Sequence, residues 1–283
     1  MFSSKIESSG LNLWIREHRF LKRMRHSNLK HATFVISLPK SGRTWHRLMV
    51  GYYLARVGGI DPKNSLRLDY LAKSAGIPPL AYTHNASSFT EKFPPHSKVV
   101  ASPVEWQGKN VLLLTRDNRD VLVSSYFHSR FRDRAFEGSI SEFVRHPFVG
   151  IVKILTALNR WHENRHLATS FEVVSYEKIK ADPSLALLEG LSFLGVKQLD
   201  RNVIEETVEF ANFQNLQRLE QLDYFQSEEM RNNSNDSRGR KIRNGKVGGF
   251  HEHLSDKDLS FIEKMESEMG NPFAPNVVVS KIN

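Results

Sequence analysis

The stretch Pro39-Lys40-Ser41-Gly42-Arg43-Thr44-Trp45 constrains this chain more than any other. Before it lies Ala32–Leu38, ATFVISL, a short apolar and β-branched run that reads as a buried strand. After it, Trp45, Leu48, Met49, Tyr52 and Leu54 recur at helical spacing within Thr44–Ala55. A strand, a tight turn and a helix start form an anion site on physical grounds. The first N–H groups of a helix have no helical partner and point outward, and the helix dipole adds positive charge there. Gly42 lets the backbone approach an oxyanion closely, Lys40 adds a mobile charge, and the Ser41 and Thr44 hydroxyls add donors.

Further along, Val111–Thr115 (VLLLT) and Phe171–Ser175 (FEVVS) read as buried strands. Helical patterns cover Asp120–Phe131, with Asp117 and Asn118 as N-caps, then Ile151–Leu167, then Leu185–Leu194 closed by Gly195. Short strands alternating with longer helices predict one α/β domain, a central parallel sheet flanked by helices, with the 39–45 loop at the carboxyl end of its strand. The domain is expected to span 31–283. Residues 1–30 form a basic extension with Trp14, Ile15, Phe20, Leu21 and Met24 at helical spacing. That extension reads as a helix packed on the domain, with a membrane-surface contact or a loose arm as the alternatives.

Composition narrows the chemistry. The 283 residues carry 40 Lys+Arg against 31 Asp+Glu, a net charge of +9, and no cysteine. The charge favours a polyanionic partner. Zero cysteine excludes disulfides, thiolate catalysis and Cys-ligated metal, and fits a reducing compartment, so a cytoplasmic location is expected. No apolar run approaches the ~18 residues of a membrane span, and no signal-peptide core of ~7–15 apolar residues opens the chain. The 39–45 loop is not the nucleotide-triphosphatase loop, because Lys40 precedes Gly42 and no earlier glycine opens it. The second strand runs into Arg116, not into a metal-holding Asp, which points to a second anionic group and no metal site.

These residues resemble the soluble, cytosolic-type sulfotransferases that use 3′-phosphoadenosine 5′-phosphosulfate (PAPS). That family's first signature is similar to P-K-S-G-T-T-W, here PKSGRTW at 39–45. Its second places an Arg after a strand, then Asp-Val, then a Ser eight residues past the Arg, here Arg116, Asp120-Val121 and Ser124. Its third is a late R-K-G-x-x-G-D-W-K loop, and RNGKVGGFH at 243–251 is similar. Thr83-His84 and Tyr176-Glu177 match two shorter signatures, and all five stand in the family's order.

The resemblance implies a P-loop-like phosphosulfate site made by Lys40, Ser41, Gly42, Arg43, Thr44 and Trp45, with Lys40 on the bridging oxygen of the breaking bond. It implies that Trp45 and Tyr176 contact adenine, as Phe213 does on a weaker match. Arg116, Ser124, Arg243, Asn244 and Gly245 would hold the 3′-phosphate. His84 would be the general base, neutral near pH 7 because an unperturbed imidazole has a pKa of about 6.5. His128 reads as structural. The reaction implied is transfer of a sulfuryl group to an acceptor hydroxyl, or less readily an amine, leaving adenosine 3′,5′-bisphosphate (PAP). The acceptor is a small molecule, lipid or sugar.

The chain departs from the family at four places. Arg43 replaces a Thr. Tyr82 stands where many members carry a Lys that helps hold the sulfuryl oxygens, and Arg43 is the candidate replacement for that charge. Gly249-Phe250 replaces Asp-Trp. The family's C-terminal dimer motif is not found after His253, so at most a weak homodimer is expected. Acceptor loops at 60–96 and 132–150 offer an aromatic set: Tyr70, Tyr82, Phe89, Phe93, Phe136 and Phe148. Arg231–Gly249 holds six basic residues, one acid and four glycines, and reads as a solvated loop or as a mobile basic flap over an anion. Two other classes compete. A phosphoryl-transferring kinase would use similar backbone chemistry, and a nucleic-acid-binding protein is suggested by net charge alone, without a recognisable reading motif.

Overall fold

Thr33–Ser37 (β1) is buried at every residue, as its apolar, β-branched composition requires of a strand covered on both faces. The computed structural model describes residues 15–22, 30–89, 93–231 and 236–274. In it β1 pairs in parallel with Leu80–Thr83 (β2) on one side and Asn110–Thr115 (β3) on the other. Ser170–Ser175 (β4) extends the sheet beyond β3, giving the order β2-β1-β3-β4. Ser37 is in register with Leu114, and Thr115 with Ser175, so all four strands end at one edge of the sheet. The residues that follow the strands, at 38–44, 84, 116 and 176, therefore emerge side by side. The strands that follow β1 lie on opposite sides of it, β2 on one and β3 on the other, which makes β1 the switch point at which open parallel sheets take their ligands.

Side-chain alternation along the strands feeds two cores. Phe34, Ile36, Val111 and Leu113 face one layer, built with Ile151–Asn164 and Asn118–Phe127. Val35, Leu112, Leu114 and Val174 face the other, built with Arg43–Val57 (α1) and Pro183–Phe193. The helix after β1 is apolar around much of its girth. Gly51 on it lies against the Ser65 backbone, where a methyl group would sit 1.7 Å from the carbonyl oxygen.

The helix that follows β3 (α2, Asn118–Phe127) starts on the Asp117 cap, as the sequence predicts, with the carboxylate accepting from Arg119 N–H at 2.9 Å. It ends four residues early as an α-helix and continues as a π-helical turn over His128–Arg132. The helix read to Leu167 stops at Asn164 and tightens into a 3₁₀ turn. Strand β2 escapes the sequence reading because only four residues separate Pro78-Pro79 from the site loop. In the N-terminal extension, 15–22 is helical and docks on the segment 93–98. Glu17 accepts from Ser97 Oγ at 2.6 Å, and Phe20 meets Phe93 edge-on. The rest of the extension, 1–14 and 23–29, lies outside the described residues.

The Gly51 contact makes a direct prediction. Gly51→Ala must push the Ser65 backbone away and should destabilise the domain by about 1–3 kcal/mol, the usual cost of overpacking. Urea unfolding checks this, and an unchanged midpoint would mean that the two segments separate freely.

Candidate active site

The loop between β1 and α1 turns through two left-handed residues, Lys40 (φ 70°) and Gly42 (φ 86°). At Gly42 a Cβ would meet the Tyr176 ring at 2.7 Å, so both the turn and the packing demand glycine. Lys40 has no such exemption, and a side chain in this conformation costs about 1–2 kcal/mol. Helix α1 has no acid in its first turn, and its first intrahelical bond is His46 N–H to the Gly42 carbonyl. The dipole and the free N–H groups at its start are thus left for a ligand. The Ser41 hydroxyl is buried without a hydrogen-bond partner among the described residues.

Arg116 follows β3. Its guanidinium donates to the Lys40 carbonyl (3.2 Å) and the Lys246 carbonyl (2.9 Å), stacks on the Tyr176 ring (4.3 Å) and pairs with Asp120 (3.5 Å). Tyr176 follows β4, and its hydroxyl donates to the Gly245 carbonyl at 3.2 Å. The Trp45 indole donates to the Ala211 carbonyl at 2.9 Å and meets Tyr176 edge-on, with the Lys180 ammonium over both Trp45 and Phe213. Every residue expected at the site, except the buried Ser41, lines one cavity: Lys40, Gly42, Arg43, Thr44 and Trp45 from the first loop and the start of α1, His84, Arg116 and Tyr176 from the sheet edge, Ser124 from α2, and Arg243, Asn244 and Gly245 from the late loop.

His84, just past β2, has its Nδ1 2.9 Å from the Ser37 carbonyl of β1. That contact puts the proton on Nδ1 and leaves Nε2 as the acceptor. Burial lowers the pKa of His84 well below 6.5, helped by the charges of Arg43, Lys241 and Lys40. The His84 ring is therefore neutral throughout the neutral range. Lys40 shifts too. Burial first, then Lys241, Arg132, Arg116 and Arg243, pull its ammonium down to about 7.

Four readings of the sequence need correction. The aromatic acceptor set is not assembled: only Phe89 of the six lines the cavity. Phe93 and Phe136 are core residues, Phe148 packs beside them, Tyr70 is exposed, and the Tyr82 hydroxyl lies 2.9 Å from His46 Nδ1. His128, read as structural, lines the cavity with Asp133, 3.3 Å from its Nε2, and burial beside Lys40 and Lys241 pulls its pKa down to about 2. Arg43 lines the cavity but shares its charge with Glu229, 3.8 Å away, a carboxylate also paired with Arg47 and Lys241. The late loop is anchored, not loose, over 236–249. Glu220 accepts from the N–H groups of Lys241 and Ile242, and Asp120 from those of Gly248 and Phe250. Counting apolar groups missed this because two carboxylates on distant helices satisfy the loop backbone. Residues 232–235 of that segment lie outside the described residues.

Sequence reasoning also passed over Lys241 and Lys180. Nothing distinguishes Lys241 within a basic run. His128, by contrast, stands one helical turn after Ser124, and that spacing was a readable signal.

A family model for the sulfotransferase domain matches residues 30–270. The chain belongs to the sulfotransferase domain family. Comparison with curated proteins yields no match. Among solved structures, the sulfotransferase is similar to retinol dehydratase in a complex with retinol and PAP, at 16% identity and a TM-score of 0.62 over 94% of this chain and 88% of that one. It is also similar to mouse sulfotransferase SULT7A1 complexed with PAP, at 17% identity and a TM-score of 0.57 over 89% of each chain. These likenesses show the fold, the single α/β domain with a parallel sheet that the sequence predicts. Among the described residues, no helix of the sulfotransferase is long and apolar enough to cross a membrane.

The anchoring of the late loop carries its own prediction. Asp120→Ala removes the acceptor of two backbone N–H groups and leaves Arg116 without its buried partner, a change that typically costs about 3–5 kcal/mol. Amide exchange at Gly248 and Phe250 should accelerate. Unchanged exchange there would show that other contacts hold the loop.

Proposed function

We propose that this sulfotransferase moves a sulfuryl group from PAPS to an acceptor hydroxyl by in-line displacement. The observation that carries the reading is the charge of the cavity. Seven cations (Lys40, Arg43, Arg116, Lys180, Lys241, Arg243 and Lys246) line it against two carboxylates, Asp120 and Asp133. Such an excess fits a donor with a phosphosulfate at one end and a separate phosphate at the other. The PAP named in the two similar structures supports the same donor class.

The chain's residues divide the work. The start of α1 and Thr44 bind the phosphosulfate, and Arg43 adds charge beside them. Arg116, Ser124, Arg243 and the Asn244-Gly245 backbone bind the 3′-phosphate, while Trp45 and Tyr176 bracket the adenine. Lys40 sits in the left-handed turn with its ammonium among other cations, so it gains most when negative charge builds on the leaving oxygen. His84 Nε2 takes the acceptor proton, its Nδ1 directed to the Ser37 carbonyl. Lys241 and His128 face the acceptor side. Of the aromatic residues expected around the acceptor, Phe89 lines the cavity.

Lys40→Ala should lower turnover by about 10²–10³ while the fold persists and PAP still binds, more weakly. Near-normal turnover at saturating donor would remove Lys40 from the chemistry. PAP at ~100 times its Kd should raise apparent stability by about 2.7 kcal/mol, and 5′-AMP should do far less because it lacks the 3′-phosphate. Equal thermal shifts for the two would argue against the Arg116, Ser124 and Arg243 assignment.

The depressed pKa of Lys40 predicts a linkage. Free Lys40 loses its proton as pH rises through about 7, and a bound phosphosulfate or phosphate favours the charged form. Binding therefore takes up a proton above that pH, and PAP affinity declines as pH rises from 7 to 9. Calorimetry in buffers of different ionisation heat measures the uptake at pH 8. The uptake should vanish in Lys40→Met, and its absence from the wild-type protein would contradict the assignment.

A further inference from the structure

The residues on either side of His84 in sequence are tied to one buried carboxylate, Glu105. Thr83 Oγ1 donates to it, at 3.3 Å from Oε1 and 3.4 Å from Oε2. The Asn85 amide donates to Glu105 Oε2 at 2.5 Å and to the Ser102 carbonyl at 2.8 Å. On its other side, Asn85 Oδ1 accepts from the Trp161 indole at 2.7 Å. The Thr83 hydroxyl also accepts from the Asn85 backbone N–H at 3.0 Å, and the Asn85 carbonyl accepts from Ala101 N–H at 2.9 Å. Asn85 and Trp161 are fully buried, and Glu105 is nearly so.

This network holds an unfavourable backbone. Asn85 (φ 47°) and Ala86 (φ 56°) are consecutive left-handed residues, and neither is glycine. A left-handed L-residue costs about 1–2 kcal/mol, less for Asn, so the chain would relax to an extended path without the side-chain contacts. The sharp turn closes on His84 itself, whose carbonyl accepts from Ser87 N–H (2.8 Å) and Ser87 Oγ (2.6 Å). Lys153, buried in Ile151–Asn164, then pins the Ser88 carbonyl at 2.8 Å. Apart from His84 and Ser88, none of these residues lines the cavity. They act on the site through the direction they give His84.

We propose that Glu105, with Thr83, Asn85 and Trp161, is a positioning bracket that aims His84 Nε2 at the acceptor and keeps its Nδ1 on the Ser37 carbonyl. The inference rests on the reading of His84 as the base for its catalytic consequence, and on geometry alone for the orientation of the ring. Thr83 and Asn85 are positioning residues, since they reach the reaction only through His84.

Two measurements on the full chain separate these parts. In ¹⁵N-histidine spectra, with His84 assigned by its loss in His84→Gln, the wild-type ring should stay neutral with the proton on Nδ1 well below pH 6.5. In Asn85→Leu, Thr83→Val and Glu105→Gln the ring leaves its buried seat, and its titration should move up toward 6.5. Thr83→Ser keeps the hydroxyl and should retain the wild-type titration. Turnover is read as PAP release from PAPS, with 2-naphthol as the probe acceptor and with water. Asn85→Leu should cost about 10- to 100-fold, the scale of a misplaced reacting group. On a His84→Ala background the same change should cost under about twofold, because coupled residues are not additive. PAP affinity should hold in every variant. Glu105→Gln keeps the side-chain volume and serves if Asn85→Leu does not fold. An unchanged His84 titration in all three variants overturns the bracket, and so does an equal loss of turnover with and without His84. If the ring shifts but His84→Ala keeps full turnover, the bracket stands and the assignment of the base falls.

Discussion

Four parallel strands that end in register set every other feature of this molecule. Parallel pairing leaves no freedom to stagger β1 against β3 without turning each buried side chain to the wrong face. Phe34 and Ile36 must face one core and Val35 the other. Once that alternation is satisfied, Ser37, Thr83, Thr115 and Ser175 finish together, and the loops they release share one space. Lys40, His84, Arg116 and Tyr176 are neighbours for that reason, although 136 positions separate the first from the last.

The shared space is electrostatically costly when empty. Burial, and then the repulsion of Lys241, Arg132, Arg116 and Arg243, brings the Lys40 ammonium down to about 7. The carboxylates that relieve part of the crowding are each shared among several donors. Glu229 serves Arg43, Arg47 and Lys241 at once, Glu220 serves the Lys241 and Ile242 backbone and Arg132, and Asp120 serves the Gly248 and Phe250 backbone and Arg116. Each of these acids orders a segment of the site and leaves the cavity itself positive. A polyanion entering the cavity finds donors already oriented, and relief of repulsion adds to its binding.

The legible part of the site was the part written in short local motifs. Pro39–Trp45 combines a strand end, a turn and a helix start within seven residues, and local sequence decides all three. Arg116 and Ser124 share one strand–helix join, so their spacing alone brings them to one side. What could not be read depends on pairing across the sheet or on contacts far apart in sequence. The Tyr82 side chain goes to His46 because Tyr82 and His84 straddle a strand end, and no spacing rule tells where that strand stops. The late loop was misread because its anchors, Glu220 and Asp120, stand about 20 and 130 residues before the N–H groups they hold. The aromatic acceptor residues were a compositional expectation, and composition does not distinguish a ring that lines a pocket from one that fills a core. The helix of 118–127 was overrun because its α pattern continues smoothly into a π turn, and that turn is what carries His128 and Asp133 to the cavity.

One physical rule links the late loop to the loop after β2. A loop that must present polar groups to an anionic ligand cannot order itself by burying apolar area, since the same residues would then be withdrawn from the site. Here the ordering is done from behind. Glu105 gathers Thr83 and Asn85, Glu220 gathers Lys241 and Ile242, and Asp120 gathers Gly248 and Phe250. In each case a buried acid takes N–H or O–H donors from a segment whose other side faces the cavity. The donors pay the acid's desolvation, and the acid in turn supplies the order that side-chain packing cannot. Glu105 and Glu220 place negative charge behind the loops, while Asp120 stands in the cavity wall among the cations. The loops are thereby held in the geometry an anion requires before any anion arrives.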